Sequence, residues 1–169
     1  MDKPDLEWQI ARETPHLRRY GHALTGNRDD GDDLTQACLE RALRKRALWK
    51  RRGSLRSWLF RIQYTLYVER KRTRKREVSM PDPALSEAQG TPARQDQLLT
   101  CRSVVEALDT LPDDQRAALL LVALEDMSYD DAAAALGIPI GTLRSRIWRA
   151  RESLRKCLVP AQAKLKRVK

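Results

Sequence analysis

At 169 residues, with 33 Lys and Arg against 23 Asp and Glu, the chain has a formal net charge of +10 and a pI near 9.9, which points to a polyanionic partner, nucleic acid ahead of a membrane surface. Aromatics are only 5% and charged residues 33%; abundant Ala, Leu and Arg with few β-branched runs favour helices built around small cores. The longest apolar run, Ala117 to Leu124, is eight residues, which excludes a bilayer span.

Helical elements are readable in chain order. Thr14-Pro15 reads as an N-cap and first helical residue, with His16, Leu17, Tyr20 and Leu24 as an amphipathic stripe and Gly26-Asn27 as a stop. A second helix starts among Asp29, Asp30, Asp32 and Asp33, where carboxylates favour the positive helix end, and runs on through Leu34, Cys38 and Ala42. The basic loop Trp49-Lys50-Arg51-Arg52-Gly53 precedes Ser54 as a cap. A third helix then carries Leu55, Trp58, Leu59, Ile62 and Leu66 at helical spacing, with Trp58 read as core. Residues 78–95, rich in Pro, Ser, Ala and Gly, read as a linker. Beyond it, helices are expected at 97–109, 113–125, 129–136 and 140–157. The chain is therefore all-α, with small helical domains at 1–77 and 96–169 on a flexible tether.

Charge is distributed unevenly. Residues 41 to 76 contain fifteen Lys or Arg against Glu69 alone, and residues 139 to 169 contain ten against Glu152 alone. Residues 109 to 131 reverse the sign, with seven acids and only Arg116 as a base. A solvated face would intersperse the signs, so each domain presents one cationic element to nucleic acid.

The second cationic element has its own grammar. Ser128 with Asp131 three residues on has a capping-box arrangement. Ala132 to Ala135 form a slim helix, and Gly137 suits a left-handed C′ position. A new helix then begins near Pro139 or Ile140. A short helix, a Gly-containing turn and a longer helix form a helix-turn-helix. Leu143, Ile147, Ala150, Leu154 and Leu158 form its buried stripe. Thr142, Ser145, Arg146 and Arg149 face the other way, and Arg144, Trp148, Arg151 and Arg155 lie on a flank. Pro139 and Gly141 keep the start slim, so that its free N–H groups can reach a phosphate.

The stretch LPDDQRAALLLVALEDMSYDDAAAALGIPIGTLRSRIWRARESL resembles the DNA-binding region 4 of extracytoplasmic-function (ECF) sigma factors, the initiation subunits of bacterial RNA polymerase. Asp131 stands where that family usually has Glu. The first block, RRYGHALTGNRDDGDDLTQACLERAL through GSLRSWLFRI, resembles the family's region 2. The resemblance implies that the chain binds core RNA polymerase and promoter DNA and makes and breaks no bond itself. It implies that region 4 reads the −35 element through Pro139, Gly141, Thr142, Arg144, Ser145, Arg146 and Arg149. It implies core polymerase contacts at Asp33, Leu34, Gln36 and Arg41, with Ala37 in place of a common glutamate. Opening of the −10 element falls to Trp49, Lys50, Arg51, Arg52, Arg61 and Thr65, the last in place of a common asparagine. An anti-sigma factor, itself at the membrane in some arrangements, is implied as a further partner.

Other chemistry finds little support. Cys38, Cys101 and Cys157 are odd in number and outside any CxxC pattern, which argues against structural zinc and suits a reducing bacterial cytosol. No secretory signal is visible in Met1-Asp2-Lys3-Pro4. His16 and His22 lie six apart with no neighbouring carboxylate or thiol pair in sequence, so no metal or other cofactor is expected. No nucleotide-binding or hydrolase motif occurs. The rival readings are a stand-alone helix-turn-helix regulator that needs no polymerase, and a sigma-like mimic that sequesters an anti-sigma protein.

Overall fold

A computed structural model describes residues 5–49, 53–78 and 104–165, with the backbone alone at 78 and 158–165. Helix α1, Leu6–Thr25, is longer than the sequence suggests, because Pro15 sits inside it rather than at its start. A mid-helix proline forfeits one backbone hydrogen bond. The preceding two and a half turns are held nonetheless, because Ile10 is buried in the core and Leu6 packs against it. Gly26 ends α1 at φ 69°, its N–H bonding the His22 carbonyl, a left-handed cap that glycine adopts without a Cβ clash.

Helix α2, Arg28–Arg44, opens on Asn27, whose side-chain oxygen accepts from the N–H groups of Asp29 and Asp30. Its backbone touches that of α1: a Cβ on Gly31 would come within 2.7 Å of the His22 nitrogen and 2.8 Å of the Gly21 carbonyl carbon. A short 3-10 turn, Arg46–Leu48, leads to the loop before α3, Leu55–Val78. Helix α3 lays Leu59, Phe60, Ile62, Leu66 and Tyr67 on the pair, and the Phe60 ring meets Tyr20 edge-on at 5.1 Å. Buried Gln63 donates to the Leu17 carbonyl at 2.8 Å, tying α3 to α1 through a polar bond inside the core.

The second unit comprises a helical segment at 104–109 (α4), then α5, Asp113–Ala123, α6, Tyr129–Leu136, and α7, Ile140–Leu165. The expected stretch 97–103, the linker at 79–95 and Cys101 lie outside the described residues. Helix α7 runs past the expected end at 157. Leu119, Leu121, Ala132, Ala135, Leu136, Leu143, Ile147 and Ala150 fill the space between α5, α6 and α7.

The two units are not held apart. Helix α3 packs on α6 and α1 on α5, so that the buried side chains of both units form one continuous cluster. Arg116, 7% exposed, reaches from α5 to the Leu24 carbonyl at the end of α1. The acids of 109–131 supply much of this junction, a use that the picture of a tether with two free domains had not assigned them.

Candidate nucleic-acid interface

The helix-turn-helix is built as its sequence implies, with one refinement. The Ser128 hydroxyl accepts from the Asp131 N–H at 3.1 Å and donates to Asp131 Oδ2 at 2.8 Å. The other Asp131 oxygen accepts from the Ser57 hydroxyl of α3 at 2.9 Å. The carboxylate thus serves both the cap and the contact with the first unit. Gly137 takes φ 65° and bonds back to the Ala133 and Ala134 carbonyls, closing α6.

Helix α7 sorts its faces as expected, with Leu143, Ile147 and Ala150 buried and Leu154 packed against them; the Leu158 side chain lies outside the described residues. Pro139, Gly141, Arg144 and Arg149 are exposed, and Thr142, Ser145 and Arg146 half-buried. Open space surrounds the position of a Cβ on Gly141, so packing does not demand a glycine there, and its bare backbone faces outward beside the unpaired N–H groups of the first turn. The arginines differ in freedom. Arg146 is committed to Asp114 at 3.0 Å, whereas Arg144 and Arg149 have no acidic partner among the described residues. Trp148, beside them, is 68% exposed.

On the first unit, Trp49 does not stand out into solvent. It is half-buried against Trp58, ring centres 6.2 Å apart, with its indole N–H enclosed and unpartnered among the described residues. Trp58 is partly covered, packed against the core as expected and in ring contact with Trp49. Leu48, next in the loop, is 67% exposed. Lys50, Arg51 and Arg52 lie outside the described residues. Arg61 is exposed and lies along the turn of the helix-turn-helix, its guanidinium 3.5 Å from where a Cβ on Gly137 would sit. Thr65 is exposed, its hydroxyl donating to the Arg61 carbonyl. The basic end of α3 is partly spoken for: Arg70 donates to the Asp33 carbonyl, Arg74 pairs with Asp30, and Lys71 with Asp113.

Among the residues expected to meet polymerase, Asp33 and Gln36 are exposed on α2, Gln36 donating to Glu40. Arg41 is half-buried in a two-pronged pair with Glu69. Leu34 is a correction. It is completely buried between α2 and its neighbours, because its inward direction on the helix is set by the same stripe as Cys38 and Ala42. Its side chain is enclosed, while those of Asp33 and Gln36 on the same helix are exposed.

Both histidines turn out to have carboxylate partners that are distant in sequence. His22 Nε2 sits 2.8 Å from Asp32 and, with Arg18 close by, holds that carboxyl below its ordinary range. His16 Nδ1 lies 2.9 Å from Glu125, whose side chain is fully buried and also gripped by Arg19 and Arg56. Glu125, Arg19 and Arg56 drew no notice in the sequence; the one available signal was the acid-rich run 109–131 set against the basic first unit. Burial pushes Cys38 up to about 12, an inert thiol by that measure. Burial, reinforced by the bond it donates to Asp113, also raises Tyr67. Among the described residues no group of His, Cys, Asp and Glu is placed to hold a metal ion, and no helix is long and apolar enough to cross a membrane.

Comparison with known proteins bears on both cationic faces. Residues 10–63 match the family model described as the Sigma2 domain of PhyR, and residues 101–154 match Sigma-70, region 4. The chain is 39% identical over 149 residues to the ECF RNA polymerase sigma factor EcfG of Rhodopseudomonas palustris (strain TIE-1), covering 88% of this chain and 82% of that protein. It is 32% identical over 160 residues to the ECF RNA polymerase sigma factor SigE of Mycolicibacterium smegmatis, covering 92% of this chain and 62% of that one. Among solved structures it superposes on the sigma factor RpoE in complex with the anti-sigma factor NepR from Bartonella quintana. That match has a TM-score of 0.81 at 33% identity, over 92% of this chain and 98% of the other.

Proposed function

Because this chain belongs to the ECF sigma factors of bacterial RNA polymerase, we propose a division of labour between its two cationic faces. The protein directs transcription initiation. In our reading the exposed start of α7 enters the major groove of the −35 element, with Arg144 and Arg149 as the leading contacts. Bidentate arginine–guanine pairs contribute about 1–3 kcal/mol each to discrimination. Arg146, held by Asp114, is presented in a fixed direction, while Pro139, Gly141, Thr142 and Ser145 bring the backbone of the turn close to phosphate.

The −10 element falls to the first unit. An extruded base costs a few kcal/mol, offset by stacking on an aromatic surface at about 1–3 kcal/mol per base. Trp49 and Trp58 together offer such a surface. Lys50, Arg51, Arg52, Arg61 and Thr65 line the path of the strand in this reading. Asp33, Gln36 and Arg41 on α2 form the contact with core polymerase, with Leu34 beneath them as support. The reactions at phosphorus then belong to polymerase, and the sigma chain positions and separates strands.

The observation that carries this reading is the combination of a capped helix-turn-helix with an exposed, arginine-bearing α7 and a second basic unit that ends a tryptophan-floored loop. A stand-alone regulator has no use for the second feature. The solved relative is in complex with an anti-sigma factor, and we infer that a protein of that kind also controls this chain, which then works in the cytoplasm where polymerase is. Permanganate footprinting of open complexes gives the discriminating experiment. Trp49→Ala should reduce thymine reactivity at the −10 element at least tenfold while leaving duplex affinity for the −35 element unchanged. Unchanged reactivity would remove the tryptophan floor from the mechanism.

A further inference from the structure

Residues 44–52 read RKRALWKRR, three cations, three apolar residues and three more cations, with no acid among them. The middle of that run is divided between two environments. Trp49 is half-buried with its ring against Trp58, whereas Leu48, its neighbour in the chain, is 67% exposed. A single exposed leucine is ordinary in a folded protein. This one differs in how firmly its backbone is held. It closes the 3-10 turn Arg46–Leu48, and its N–H donates to the Lys45 carbonyl at 2.8 Å. The Trp49 N–H donates to the Arg46 carbonyl at 3.3 Å. The Arg46 guanidinium reaches back to Glu7 on α1 at 2.6 Å, and on the other side the Trp49 ring is fixed against Trp58. The turn thus presents an apolar side chain to solvent from a point anchored on both flanks.

The surroundings indicate what meets it. A protein surface that buried Leu48 would also have to desolvate the cations beside it, and Arg44, Lys45 and Arg46 are all exposed. A nucleic-acid strand has the opposite requirement. It brings phosphates to the cations and, wherever its bases unstack, an apolar gap. Leu, Ile, Phe and Met side chains fill such gaps in proteins that kink a duplex. Opening the −10 element poses two separate physical problems. A base that has left the stack must be received, the role given above to Trp49 and Trp58. The stack it has left must also be kept from closing, and a ring packed against Trp58 is not available for that. Leu48 stands beside Trp49 in the chain with its side chain in solvent.

We propose that Leu48 is a strand-separating wedge. Its side chain enters the −10 stack at the step from which a base is withdrawn, while the basic residues before and after it hold the phosphates. This inference rests on the assignment of the Trp49 loop to the −10 strand. The two neighbours then have different duties: Trp49 holds DNA that is open, and Leu48 drives closed DNA towards opening.

The experiment uses the full-length chain bound to core polymerase and counts competitor-resistant promoter complexes on two templates. One is the promoter duplex, and the other is the same promoter with its −10 segment mismatched, so that the strands are already apart. Leu48→Ala is expected to form about tenfold fewer complexes on the duplex and to stay within about twofold of wild type on the mismatched template, because the wedge acts only on a stack that can close. Its circular dichroism and melting temperature stay at wild-type values, since the side chain it shortens is exposed. Leu48→Met, which keeps a long apolar side chain, recovers most of the loss, and Trp49→Ala is impaired on both templates. Leu48→Ala as active as wild type on the duplex, or equally impaired on both templates, would overturn the wedge. So would a loss of affinity for labelled core enzyme, which would make Leu48 a polymerase contact. Trp49→Ala indistinguishable from wild type on both templates would instead remove the −10 assignment, and the wedge with it, so the two failures are told apart.

Discussion

Asp33 and Leu34 are adjacent on α2 and matter in opposite ways. Leu34 is fully buried and Asp33 exposed. Leu34→Ala therefore removes a packed side chain and leaves a cavity, at a cost of about 2–5 kcal/mol. Taking about 3 kcal/mol, the melting temperature of a chain this size falls by roughly 6–12 °C. Asp33→Ala deletes no packing, and the bond from Arg70 goes to the Asp33 backbone carbonyl, which the substitution preserves. Its melting temperature should stay within about 2 °C of wild type, since surface changes are usually within about 0.5 kcal/mol. Its affinity for core polymerase should nevertheless drop about tenfold or more, as expected when a charged interface contact is lost. Differential scanning fluorimetry and a fluorescence assay with labelled core enzyme measure the two quantities on the same samples. The reasoning fails if Leu34→Ala, assayed well below its melting temperature, loses core affinity while Asp33→Ala keeps it.

Further outcomes follow from the same geometry. Arg144→Ala and Arg149→Ala should each weaken −35 duplex binding, and one that contacts phosphate alone should lower the salt slope by about one; titrations at several salt concentrations check this. Ser128→Ala removes the hydroxyl that caps α6 and should cost about 0.5–2 kcal/mol in denaturant unfolding. Gly31→Ala should destabilise the first unit strongly, because its new methyl meets the backbone of α1 rather than a movable side chain; a thermal melt indistinguishable from wild type would contradict the close approach of α1 and α2. Cys157 is exposed and Cys38 buried with its thiol raised to about 12, so at pH 8 a maleimide should modify Cys157 within minutes and Cys38 only on unfolding, as peptide mass mapping would show. That raised thiol also binds its proton more tightly in the folded state, so its contribution to stability is full below about pH 9 and is lost as pH rises towards 12. The depressed carboxyl of Asp32 works oppositely, favouring the fold above its ordinary range and ceasing to do so in acid.

Much of the architecture was legible because it rests on local signals. The helix-turn-helix could be read from Ser128, Gly137 and the spacing of Leu143, Ile147 and Ala150, all of which act within a turn or two of themselves. Ser54 as a cap and Gly26-Asn27 as a break were legible for the same reason. The start of α1 was not, since Thr14-Pro15 is a strong local start signal, and burial of Ile10 carries the helix back past it. The burial of Leu34 was not legible either, because a motif names a set of residues without saying which of them points inward. The junction was hidden for a different reason. Glu125 lies 106 residues from Arg19 and 69 from Arg56 in sequence, and no periodicity connects them; only the opposing signs of 109–131 and 41–76 hint that the units belong together. Trp49 and Trp58 likewise became a pair only in three dimensions.

The central claim is that this chain gives core RNA polymerase a promoter specificity that core lacks. Run-off transcription with purified core enzyme, on a template carrying the promoter region upstream of the chain's own gene, tests that claim most directly. A discrete transcript in the presence of the chain and none in its absence is the predicted result. Failure of the purified chain, freed of any inhibitor, to associate with core or to produce a transcript would contradict it.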